Sequence, residues 1–133
     1  EPPPAEIAIA PAKHRRVLVV EDNPMLARVL TELFSLEGFD VSAAADGETA
    51  LTTMRDRGPF DLVLCDVVMP RLRGTDVARV IARESPLTRV ILWSGYPGEP
   101  DIPESLPRVR FVHKPLEAER LLAIVAEMLD DEE

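Results

Sequence analysis

Short runs of aliphatic and β-branched residues alternate along this chain with stretches in which apolar positions recur every three or four residues. The first run, Val17–Val20, is long enough for a buried strand. Asn23-Pro24 then starts a helix, with asparagine as N-cap and proline in the first turn, where its missing N–H is not needed. Leu26, Val29, Leu30, Leu33 and Phe34 follow at helical spacing, and Gly38 ends the helix as a left-handed cap. Val41–Ala45 predicts a second strand, and Asp46 caps a helix over 47–57 that Gly58-Pro59 stops. Asp61–Asp66 predicts a third strand, and Val77, Val80 and Ile81 mark the apolar stripe of a helix near 75–84. Arg89–Trp93 and Val109–His113 predict the fourth and fifth strands. Leu116–Leu129 predicts a closing helix that buries Leu121, Leu122, Val125 and Leu129.

Five short apolar strands alternating with helices predict an α/β fold, a doubly wound parallel sheet with helices on both faces. One interval breaks the alternation. Residues 95–108 contain Pro97, Pro100, Pro103 and Pro107, and an interior proline removes a helical hydrogen bond and clashes with the preceding turn. The helix between strands four and five is therefore expected to be short or absent.

Length and composition narrow the picture. The 133 residues suit one domain over 16–129, between a Pro/Ala-rich linker or tail at 1–15 and an acidic tail at 130–133. A chain that starts at Glu1 rather than Met, behind a linker, suits an excised or processed piece, such as the C-terminal domain of a larger protein. A net charge of −9 predicts no direct nucleic-acid binding, which needs a basic footprint. Cys65 is the one cysteine, so no intrachain disulfide forms, and its apolar surroundings predict a small buried residue. No apolar stretch approaches the ~20 residues of a spanning helix, which predicts a cytoplasmic protein with no membrane insertion.

In a parallel sheet, sites form outside the carboxyl ends of the strands. Glu21-Asp22 follow strand one, Asp66 ends strand three, Ser94 ends strand four and Lys114 follows strand five. The fold would bring these to one edge. Converging carboxylates repel unless neutralised, and Mg²⁺ does this well because it prefers oxygen ligands and completes its shell with water and phosphate. A carboxylate beside it can attack a phosphoryl group to give an aspartyl phosphate, with the Lys114 ammonium and Ser94 hydroxyl placed to neutralise phosphoryl oxygens.

The segments VLVVEDNP, LVLCDVVMP, VILWSG and FVHKP, in this order, resemble the motifs of response-regulator receiver domains over roughly residues 16–129. The resemblance implies a flavodoxin-like five-stranded sheet of order 2-1-3-4-5. It implies a two-component or phosphorelay domain that takes a phosphoryl group on Asp66 from a phosphohistidine of a histidine kinase or histidine phosphotransfer domain. Asp22, Asp66 and the Val68 backbone carbonyl would hold Mg²⁺, or Mn²⁺ in its place, with Glu21 acting through water. Lys114 would contact the phosphoryl group, Ser94 would swing toward it and Phe111 would turn inward as the switch. The Lys114–Pro115 bond would be cis. Such a domain is not a conventional enzyme; it catalyses only its own phosphotransfer and dephosphorylation. It would be a monomer or weak dimer, since the usual dimer face lies in 95–108.

The chain departs from that family in places. Gly95 stands where alanine is common, which suits a loop that rearranges, and the Ser94-Gly95-Tyr96 triplet resembles receivers of hybrid histidine kinases. The positions two beyond Asp66 and Ser94, which flank the phosphoryl group in the family, are Val68 and Tyr96. Val68 has no group to orient water, which implies slow autodephosphorylation. Two alternatives compete: a Mg²⁺-dependent phosphohydrolase with an aspartyl intermediate, which commonly carries an acid where Val68 stands, and a phosphate-independent interaction module, against which the complete acidic set and Lys114 argue. A dinucleotide site fails for lack of a glycine-rich turn after strand one. His113 alternates away from Val112, and His14 lies in the linker, so neither is a candidate ligand.

Overall fold

The alternation of strand and helix signals is realised throughout the described residues. The computed structural model describes residues 15–95, 106, 108–114 and 117–130. The order is β1 (Arg16–Val20), α1 (Pro24–Leu36), β2 (Asp40–Ala44), α2 (Gly47–Arg57), β3 (Leu62–Asp66), α3 (Gly74–Glu84), β4 (Arg89–Ser94), β5 (Val109–His113) and α4 (Ala118–Asp130). All pairings are parallel, in the order β2-β1-β3-β4-β5. This is the flavodoxin-like sheet that the sequence predicts.

Period-two alternation sorts the strand residues onto two cores. Leu18, Val20, Val63, Cys65, Val90 and Leu92 meet Ala50 and Leu51 of α2 and Val77, Ala78 and Ile81 of α3. Val17, Val19, Leu62, Leu64, Ile91 and Trp93 meet Leu30 and Phe34 of α1 and Leu121, Val125 and Met128 of α4. The three central strands are covered on both faces, so their residues are almost uniformly apolar. Val29 corrects the predicted stripe: it is 54% exposed, because Leu26, Leu30, Leu33 and Phe34 already cover the inward face of α1.

The helix ends follow the local chemistry. The Asn23 side chain accepts from the N–H groups of Met25 and Leu26 at 3.0 and 3.2 Å, ahead of Pro24. At the other end Gly38 takes φ 97°. The N–H groups of Gly38 and Phe39 donate to the carbonyls of Ser35 and Phe34, a Schellman closure whose apolar contact is the edge-on pair Phe34–Phe39 at 5.7 Å. Asp46 accepts from the Thr49 N–H at 2.7 Å and starts α2. Buried Arg89 donates from Nε to the Met128 carbonyl at 2.7 Å, and Arg15 donates to that of Leu129 at 3.2 Å. Two guanidiniums thus satisfy carbonyls at the end of α4 and favour its dipole.

Among the described residues no helix lies between β4 and β5. Residues 96–105 and 107, including Tyr96 and the four prolines, are outside the description. So are residues 1–14 and 131–133, on which the expected linker and most of the acidic tail fall. Among the described residues, no helix is long and apolar enough to cross a membrane.

Candidate functional site

One strand end and two residues that follow another strand supply the acids. Glu21 and Asp22 leave β1, Asp66 ends β3, and one carboxylate oxygen from each lies within 4.8 Å of the others. Glu21 and Asp66 are buried, 3% and 7% exposed, while Asp22 faces solvent. Lys114, just past β5, reaches over β4 to place Nζ 3.3 Å from Glu21 Oε1 and 3.4 Å from Asp66 Oδ2. Its backbone N–H donates to the Ser94 carbonyl at 2.8 Å, which fixes the stem of the side chain.

Each acid is oriented by nearby backbone. The Asn23 N–H donates to Glu21 Oε2 at 3.2 Å, and the Val68 N–H donates to Asp66 Oδ1 at 3.2 Å. Burial pushes the Glu21 carboxyl above its ordinary value, and the charge of Asp66 adds to this. The Asn23 N–H and the Lys114 ammonium pull it back. Three carboxylates against one ammonium leave an excess of negative charge. An all-oxygen donor set with that excess fits a hard divalent cation such as Mg²⁺. Cys65 does not belong to the donor set: burial foremost, then Asp66 and Glu21, push its thiol far up and keep it protonated.

The loop from β3 to α3 holds a feature that sequence reasoning missed. A Cβ on Gly74 would sit 2.5 Å from the Asp66 carbonyl oxygen and 2.8 Å from Val67 Cα. Only glycine lets the start of α3 approach the end of β3 this closely. The Gly74 N–H donates to the Val67 carbonyl at 3.0 Å, tying the two together. Between them Arg71 takes φ 67°, and its guanidinium lies 3.5 Å from Asp46 Oδ2.

The remaining candidates lie nearby. Ser94 is buried at the end of β4, one position beyond Trp93, which is in register with Asp66. Phe111 is half-buried against the α2/α3-side core and meets the exposed His113 edge-on at 4.7 Å. Gly95 is not required by the backbone: a Cβ there would meet only Lys114 Cβ at 3.8 Å, and its φ is not in the left-handed region. The expected cis bond involves Pro115, outside the described residues. In the sequence Trp93 is simply part of an apolar strand, yet its ring centroid is 5.0 Å from Lys114 Nζ.

A family model described as the response regulator receiver domain matches residues 17–126. Among curated proteins, the DNA-binding response regulator MtrA of Mycolicibacterium smegmatis is 45% identical over 78 residues, covering 59% of this chain and 34% of its own length. The chain thus spans about a third of that relative. Among solved structures, a CheY-like receiver domain protein from Methanospirillum hungatei has a TM-score of 0.78 at 23% identity, over 89% of this chain and 95% of its own. The response regulator TrrA of Thermotoga maritima, solved in complex with Mg²⁺-BeF, has a TM-score of 0.77 at 29% identity, over 86% of this chain and 99% of its own.

These relatives correct one expectation. The net charge of −9 does not exclude nucleic-acid binding, since relatives of 44–45% identity are DNA-binding response regulators. Net charge describes the field of the segment it is summed over, and that field decays within about 8 Å at physiological salt. An acidic receiver segment is therefore compatible with a DNA contact made elsewhere in a longer protein.

Proposed function

The chain belongs to the response regulator receiver domain family, and on that basis we propose that Asp66 is the residue that accepts a phosphoryl group from a phosphohistidine. The observation that carries the proposal is the Lys114 ammonium 3.4 Å from Asp66, beside Glu21 and Asp22. No other group of three acids or metal-binding side chains is found among the described residues.

In this reading Asp22, Asp66 and the Val68 carbonyl would hold Mg²⁺, or Mn²⁺ as a substitute, and Glu21 would act through water. The bound cation supplies neutralisation of phosphoryl oxygens as charge builds on them. An Asp66 carboxylate oxygen forms the new P–O bond as the P–N bond to the donor imidazole breaks. The electron pair of that bond leaves on the imidazole nitrogen, which then takes a proton. Lys114, released from Asp66 by the lost carboxylate charge, follows the phosphoryl oxygens, and the Ser94 hydroxyl and Phe111 ring reorganise behind it. The donor is a histidine kinase or a histidine phosphotransfer domain. The curated relatives favour a DNA-binding output as the process under control. The likeness to a receiver solved with Mg²⁺-BeF supports the metal assignment.

The test is transfer of radiolabelled phosphoryl from an autophosphorylated histidine kinase, with Mg²⁺ and with chelator. The reading expects label on the wild type with Mg²⁺, little with chelator, and none on Asp66→Asn. Equal labelling of Asp66→Asn contradicts it.

A further inference from the structure

Trp93 occupies a position that its packing alone does not explain. It is 4% exposed and lies in the core between the sheet and helices α1 and α4. Its indole Nε1 is buried and has no hydrogen-bond partner among the described residues. A buried unpaired donor is a net cost, and tryptophan N–H groups usually find a partner when buried. Phenylalanine or leucine would fill an apolar site without that cost. What tryptophan adds is the largest and most electron-rich ring face, and the Lys114 ammonium stands 5.0 Å from its centroid.

We propose that Trp93 is a positioning residue for Lys114, its ring seating the ammonium beside Asp66. The inference rests on the functional reading of Asp66 and deepens it. Lys114 carries its charge on a flexible four-carbon stem, so its aim depends on what surrounds the head. Glu21 and Asp66 attract it now, at 3.3 and 3.4 Å. Both carboxylates are committed elsewhere when a cation is bound and Asp66 carries a phosphoryl group. The ring is uncharged, sits in a core beside its strand neighbour Val112, and attracts the ammonium in every state of the acids. Its buried setting strengthens that attraction relative to a solvated ring.

The experiment measures the rate of phosphorylation by acetyl phosphate with Mg²⁺ for the wild type, Trp93→Phe, Trp93→Leu, Lys114→Ala and the Trp93→Leu/Lys114→Ala pair. Mg²⁺ affinity is measured by calorimetry and stability by urea unfolding. Trp93→Leu is expected to slow labelling by about three- to thirtyfold, and Trp93→Phe by less. Mg²⁺ affinity stays within about twofold, since the indole offers no oxygen ligand to the cation. In the Lys114→Ala background the Trp93→Leu change has no further effect, which a merely structural role would not produce. Trp93→Phe gives up the N–H but leaves a void where the larger indole stood, so it unfolds somewhat more easily than the wild type yet stays folded without urea, and it still labels more slowly. A wild-type rate in both Trp93 variants overturns the seat while leaving Asp66 as phosphoacceptor intact. So does an equal loss in the presence and absence of Lys114. A wild type that takes no phosphoryl group overturns the functional reading itself.

Discussion

The Lys114 ammonium lies 3.4 Å from Asp66 Oδ2, too close for an intervening water, and joins the end of β3 to the end of β5 across β4. The same ammonium partners Glu21, an acid that burial pushes toward its neutral form. Without a bound cation, Lys114 is the positive group of the cluster. Lys114→Ala should therefore lower stability in chelator by about 1–3 kcal/mol, the cost of leaving a buried polar group short of a partner. Saturating Mg²⁺ should restore more stability to the variant than it adds to the wild type. Urea unfolding in the two conditions checks this; an unchanged midpoint in chelator counts against the pairing.

Gly74 is a second dependency of the same strand end. A methyl there meets the Asp66 carbonyl oxygen at 2.5 Å, and neither backbone is free to move alone. Gly74→Ala should destabilise by about 1–3 kcal/mol and slow phosphorylation of Asp66 by displacing it. Gly95→Ala, where the nearest atom is 3.8 Å away, should change stability little and serves as the control.

Val68 bears on how long the phosphoryl group lasts. Val68 is 39% exposed, so a polar replacement there can keep contact with water. Val68→Asn should speed autodephosphorylation severalfold by giving the attacking water a hydrogen-bonding partner. An unchanged half-life of the phosphorylated protein would remove Val68 from the account of hydrolysis.

Asp46 gives a pH signature away from the site. The Thr49 N–H at the start of α2 holds its carboxyl below the ordinary value of 3.8, with Arg71 adding to this. A lowered folded-state value means that its contribution is fully present above pH 3.8 and fades as pH falls through the lower folded-state value. Asp46→Ala should therefore unfold more easily than the wild type at neutral pH, and the gap should narrow below about pH 3.8. A gap independent of pH would mean that the cap acts through packing and not charge.

Much of this was legible in the sequence because the strands announce themselves by apolar runs and the helices by their caps. Asn23-Pro24, Gly38 and Asp46 mark boundaries through chemistry confined to a few residues, and the structure places them within a residue of expectation. The meeting of Glu21, Asp22, Asp66 and Lys114 follows from parallel topology, which puts all strand ends on one edge. Val29 was misassigned because adjacent helical positions differ by only about 100°, and which of them faces inward depends on the neighbouring strand. Gly74 and Trp93 carry no local signal at all. One is needed for its distance from a carbonyl eight positions earlier in the chain, and the other for a lysine on the neighbouring strand's end. The exclusion of nucleic acid fails for a different reason: net charge describes only the residues it is summed over, and relatives that share this stretch are DNA-binding response regulators.

The central claim is that Asp66 accepts the phosphoryl group, and intact mass measures it most directly. Wild type and Asp66→Ala are incubated with Mg²⁺ and a small phosphodonor and weighed before the acyl phosphate hydrolyses. The account predicts one added phosphoryl group on the wild type and none on the variant. An adduct on both proteins, or on neither, would contradict it.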